Sequence, residues 1–155
     1  MQRIIGVLVV LTTTPLLLVA GGDDDIRKEL KALEGKWKTV GLEAMGMTFP
    51  KEAVFDFTFI VGADGKSIGK MPKSEYEART SVDPKKNPRT IDNVHVTGAS
   101  KGKKQFGIYK LEGDKWIVCM TAPGAAESDR PKNFDTKDTA NVVFTFQRIK
   151  EDKKP

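Results

Sequence analysis

From Gly35 onward, apolar and polar residues alternate with a period of two, and the aromatic ones gather on one side. The segment 53–61 is the sharpest case. Phe55, Phe57, Phe59 and Val61 share one face, and Asp56 and Thr58 sit on the other. Near the far end, Val142, Phe144 and Phe146 alternate against Val143, Thr145 and Gln147. Successive side chains of a strand point to opposite faces, so these runs read as strands with one buried face. A sheet that carries an aromatic face must cover it. Closing on itself does so, and it removes the exposed edges that invite aggregation.

Eight strands are expected, over 36–43, 53–61, 67–70, 74–82, 90–97, 105–111, 115–121 and 141–149. In the fourth, Tyr76, Ala78, Thr80 and Val82 oppose Glu75, Glu77, Arg79 and Ser81. Ala63-Asp64-Gly65-Lys66 is a tight turn with the Asp-Gly hairpin signal, and Glu112-Gly113-Asp114 joins another hairpin. Both strands of that second hairpin are apolar on either face, so their direction stays open. The segments 83–88 and 98–104 are polar loops, and 123–140 is a long irregular one. Before Gly35 the period is helical. Ile26, Leu30 and Leu33 make one stripe over 23–34, an Asp from 23 to 25 caps the start, and Gly35 ends it. The expectation is an all-β fold, an eight-stranded antiparallel barrel with a short N-terminal helix. Such a barrel holds one small ligand or a filled core. A β-sandwich is the alternative.

The first 22 residues have the order of a cleavable signal peptide. Arg3 is positive, 4–11 and 16–19 are apolar, and small Ala20, Gly21 and Gly22 precede Asp23-Asp24-Asp25. A cut after Gly22 leaves 23–155 as one domain, exported to the periplasm or beyond. The apolar stretch is short for a membrane span and holds Pro15, so no stable anchor is expected after cleavage. The chain has a net charge of +5, with lysines and acids interspersed. That surface serves solubility, with some attraction to anionic envelope polymers. The basic clusters at Lys85-Lys86, 101–104 and Lys153-Lys154 lack interleaved exposed aromatics, so no nucleic acid is expected as a partner.

Gly35-Lys36-Trp37 stands where the helix meets the first strand, and Arg148 follows Val142, Phe144 and Phe146 in phase. This resembles the lipocalins, or calycins, which begin with Gly-x-Trp at the barrel base. The resemblance implies that Arg148 packs over Trp37 and that the two close the barrel. Four further pieces are similar to a planctomycete family of exported lipocalin-like proteins. They are Glu29-Leu30 through Gly35-Lys36-Trp37, Asp83-Pro84 through Asp92, Gly107-Ile108-Tyr109-Lys110-Leu111-Glu112-Gly113-Asp114, and Arg130-Pro131-Lys132-Asn133-Phe134. The likeness implies an extracytoplasmic lipocalin-like domain and no particular reaction. Trp116 departs from it, standing where an aliphatic residue is usual.

Catalytic chemistry finds little support. His95 is the only histidine, and it faces outward between Val94 and Val96 or inward with Ile91 and Asn93, according to the phase. One histidine without other soft ligands makes no zinc site. Cys119 is the only cysteine, so no internal disulfide forms, and it reads as a small buried hydrophobe. A Cys119–His95 pair would need both in one cavity. None of the five serines lies in a Gly-x-Ser-x-Gly turn. Asp135 to Asn141 has calcium-loop spacing, but Lys137 occupies a ligand position and the glycine is missing. No enzyme activity, metal or cofactor is expected.

The aromatic face carries the functional expectation. Trp37, Phe55, Phe57, Phe59, Tyr76, Phe144 and Phe146 either pack solid or line a pocket for a small apolar or amphipathic ligand. The long loop 123–140 is a candidate cover for the open end. The rival reading is a solid barrel serving as a structural or protein-interaction domain of the cell envelope.

Overall fold

A computed structural model of the chain describes residues 21–150. The expected signal segment therefore lies almost wholly outside the described residues. Helix α1 (Gly21–Leu33) leads into β1 (Gly35–Ala44), β2 (Met47–Thr48), β3 (Thr58–Val61), β4 (Lys66–Met71) and β5 (Ser74–Asp83). β6 (Arg89–His95), β7 (Lys104–Glu112), β8 (Lys115–Met120) and β9 (Val142–Arg148) follow. The strands pair antiparallel in the order β2-β1-β3-β4-β5-β6-β7-β8-β9, and β9 returns to β1. Eight strands thus close an all-β barrel of lipocalin-like form, and β2 is a two-residue flap on β1. The sandwich alternative is set aside by the β1–β9 pairing, which places Trp37 opposite Arg148 and Leu42 opposite Phe144.

Helix α1 plugs one end. Its stripe of Ile26, Leu30 and Leu33 packs on the barrel core, and Leu33 is wholly buried. Glu29 on the same helix accepts hydrogen bonds from the Tyr109 hydroxyl at 2.9 Å and from Arg89 at 2.8 Å. The helix starts ahead of the expected Asp23, so Asp23 and Asp24 lie inside its first turn. There they complement the positive end of the helix dipole.

The expected strand over 53–61 is regular only from Thr58 to Val61. A 3-10 turn takes Lys51–Ala53, and the segment after it leaves the ladder. The cause lies in β1, whose pairing with β9 shifts between Thr39 and Gly41, leaving Val40 as the extra residue of a bulge. β1 pairs with β3 only through Lys38. Beyond that point the Thr39 amide and hydroxyl both donate to the Phe57 carbonyl at 2.9 Å, and the neighbouring chain peels away.

The loop between β8 and β9 meets the open end at Pro123, which lines a chamber with Ser100 and Gln105. Its stretch from Arg130 to Thr136 lies on the outer wall. Phe134 packs on Ile108, Cys119 and Val143, the outward residues of β7, β8 and β9. Arg130 grips Asp92 through both guanidinium nitrogens and stacks over Phe106 at 5.2 Å. Thr136 then takes the Gly46 amide at the β1–β2 hairpin. The hairpin of β7 and β8 is apolar on both faces because one face fills the barrel and this belt covers the other.

Candidate functional site

The barrel interior has two chemically different halves. β1, β3, β8 and β9 turn Trp37, Phe59, Trp116, Phe144 and Phe146 inward, joined by Phe57 just ahead of β3. The rings meet edge-on or tilted: Trp37 and Trp116 at 5.4 Å, Trp116 and Phe146 at 5.4 Å, Phe57 and Phe146 at 5.9 Å. Such offset contacts are the favoured geometry for aromatic rings. The opposite half holds Val82, Ile91 and Tyr109 and also carries the buried polar groups. Ser67 and Thr80 join hydroxyls at 2.7 Å, and Thr80 donates to the Asn93 side-chain oxygen at 2.8 Å. Further along, His95 meets Gln105 at 2.8 Å, and Gln105 donates to the Thr121 carbonyl at 3.0 Å.

Between the halves lies a cavity of about 160 Å³, open away from α1. Phe57, Phe59, Tyr76, Phe144 and Phe146 line it. Phe55 also touches it but sits at the mouth, 43% exposed, because its segment has left the barrel ladder. Met71 shares the rim. Trp37 is not a wall residue. It lies beneath Trp116, fully buried, and belongs to the floor.

That floor is the expected closure. The Arg148 guanidinium stands 4.1 Å over the Trp37 ring. It donates to the carbonyls of Ala32 and Glu34 at 2.6 and 2.5 Å, and the Trp37 indole donates to Leu33 at 2.8 Å. Three successive carbonyls at the end of α1, which the helix itself cannot satisfy, are met by barrel side chains.

Several wall residues were not legible in the sequence. Trp116, Val118 and Met120 face inward, and so do Ile91 and Asn93 on β6 and Gln105 on β7. The inward phase of β6 carries His95 with it, buried at 6% exposure. Cys119 points to the other side of the wall, under Phe134. The barrel wall therefore separates His95 from Cys119. Burial pushes the Cys119 thiol up to about 11 and the Tyr76 hydroxyl up to about 12. Burial and the neighbouring Glu29 carboxylate also raise Tyr109 above the ordinary phenol range.

A second chamber of about 300 Å³ adjoins the aromatic one and shares Met71, Tyr76 and Gln105 with it. His95, Ser74, Glu75 and Ser100 form part of its wall. Two buried polar atoms in these walls, His95 Nδ1 and Trp116 Nε1, have no partner among the described residues. Among the described residues, no three His, Cys, Asp or Glu side chains converge as a metal site would require. No model of a known protein family, no curated protein and no solved structure matches the chain.

Proposed function

We propose that the chain is an exported, non-enzymatic binding protein of the planctomycete lipocalin-like kind, which holds a small apolar or amphipathic molecule in its barrel. The observation that carries this reading is the cavity of about 160 Å³ among Phe57, Phe59, Trp116, Phe144 and Phe146. A solid-core platform, the rival, would have filled that space. An apolar cavity of roughly 150 Å³ suffices to bind benzene. The size suits a single ring or a small fused bicycle better than a folded lipid chain.

Two measurements test the proposal. Titration of the purified protein with toluene, followed by NMR, is expected to shift the ring signals of those five residues first. Saturating toluene with those signals unmoved would overturn the binding reading. N-terminal sequencing of protein recovered from an exporting cell is expected to begin at Asp23. A retained Met1 would overturn the export reading, which rests on Arg3, the apolar run and Ala20-Gly21-Gly22.

A further inference from the structure

The hydrogen bonds on the polar wall fix which atom of His95 is left over. Gln105 Nε2 faces the Thr121 carbonyl at 3.0 Å, and only the amide nitrogen can donate there. Gln105 Oε1 is then the atom 2.8 Å from His95 Nε2. An amide oxygen accepts only, so Nε2 carries the hydrogen. In the neutral imidazole Nδ1 is a bare acceptor. It is buried, and among the described residues no atom donates to it. Buried polar atoms are normally paired, and an orphan in a cavity wall marks a place where a ligand can supply the partner.

The surroundings restrict what that ligand is. Tyr76 covers the imidazole, with ring centroids 4.8 Å apart, and lines both chambers. It lies against Gly69, where a Cβ would overlap its ring. Among the described residues, neither chamber has a Lys or Arg in its wall, and Glu75 stands in the second. Glu75 is already paired with Lys70 at 3.2 Å, so a carboxylate head group finds no free counter-charge there. A neutral donor meets no such penalty.

We infer that the ligand is a neutral aromatic molecule bearing one hydrogen-bond donor, of the phenol or indole type. Its ring sits among Phe57, Phe144 and Phe146, and its O–H or N–H donates to His95 Nδ1 as Tyr76 turns aside. The inference rests on the binding function proposed above and names the ligand's chemistry.

The test compares p-cresol with p-xylene, which have nearly the same shape and differ by a hydroxyl in place of a methyl. In the wild-type protein, p-cresol is expected to move the Nδ1 nitrogen resonance upfield, and p-xylene to leave it in place. The signal is unambiguous because the chain has one histidine. In His95→Phe the ratio of p-cresol to p-xylene affinity is expected to fall about tenfold, the worth of one ordinary hydrogen bond. If both compounds bind, the ratio is unchanged and Nδ1 stays still, the donor inference is overturned and the cavity reading stands. If neither binds, both fall. Should His95→Phe fail to fold, the wild-type Nδ1 resonance decides alone.

Discussion

The guanidinium of Arg148 lies 4.1 Å above the indole of Trp37, and the same group holds two carbonyls at the end of α1. One side chain at the last residue of β9 therefore fastens the helix, the first strand and the last strand together. Its Nε also approaches Asp114 in the β7–β8 turn at 3.3 Å. Lys150, bonded to the same carboxylate, holds Asp114 below the usual range, with Arg148 adding to the effect.

Arg148→Ala is expected to cost about 2–3 kcal/mol, the sum of a desolvated cation–π contact and charged hydrogen bonds less screening. Arg148→Lys should recover less than half of that, since an ammonium cannot span two carbonyls while stacking flat on a ring. Urea unfolding followed by tryptophan fluorescence measures both. An alanine variant as stable as the wild type would contradict the closure described above.

Phe55 and Phe57 stand two residues apart and look equivalent in the sequence. Phe57 is 7% exposed and Phe55 is 43% exposed. Phe57→Ala is expected to cost about 3–5 kcal/mol, as deletion of a buried phenyl ring does. Phe55→Ala should cost about 1 kcal/mol or less and act mainly on the rate at which toluene enters. Equal losses of stability would place both rings in the core and refute the peeling of this segment from the ladder.

Cys119 is sealed between the barrel wall and Phe134. Its thiol is expected to react with a disulfide reagent only at the rate of opening, and fast in denaturant. The raised thiol value also gives a pH dependence. The folded state keeps the proton up to about 11, and the unfolded chain releases it near 9.0. Stability is thus retained below pH 9 and falls as pH rises toward 11, by roughly 1.4 kcal/mol per pH unit. Cys119→Ala should flatten that part of the curve. Further loss between 10 and about 12 belongs to Tyr76. An unchanged slope in Cys119→Ala would show that the thiol is not the titrating group.

Arg130 binds Asp92 at 2.5 and 3.2 Å and the Gly107 carbonyl at 3.0 Å, and Asp92 raises its pKa further. Arg130→Ala is expected to release the belt between β8 and β9. Limited trypsin digestion should then cut after Lys132 and Lys137 well before the barrel is attacked. Ligand affinity should stay the same, because the belt lies on the outer wall. A variant that loses toluene binding would place the belt over the mouth after all.

Much of this architecture is visible residue by residue in the chain. Tyr76, Ala78, Thr80 and Val82 alternate against charges, and they face inward as that pattern requires. Arg148 is in phase with Phe144 and Phe146, and it reaches Trp37. The hairpin of β7 and β8 resisted, because Ile108, Cys119 and Val118 are all apolar and a covered outer wall has the same composition as a core. His95 resisted for a related reason. Val94 and Val96 on one side and Ile91 on the other supply a hydrophobic pattern in either phase. Ladder register resolves it by setting Asn93 opposite Thr80 and His95 opposite Ala78.

The sequence by itself determined the strand period, the aromatic face and the phase that Arg148 shares with Phe144 and Phe146. Each follows from a local rule: two residues per pleat, a turn at Asp64-Gly65, a helical stripe ending at Gly35. Only the tertiary structure decided that the interior is aromatic on one side and carries its buried polar groups on the other, with room left between. Whether buried side chains meet or leave a gap depends on barrel width and on the bulge at Val40. Those are set by how eight strands close at once. The orphan nitrogen of His95 is of the same kind: it exists because Gln105 and Thr121, distant in sequence, have already fixed the other side of the ring.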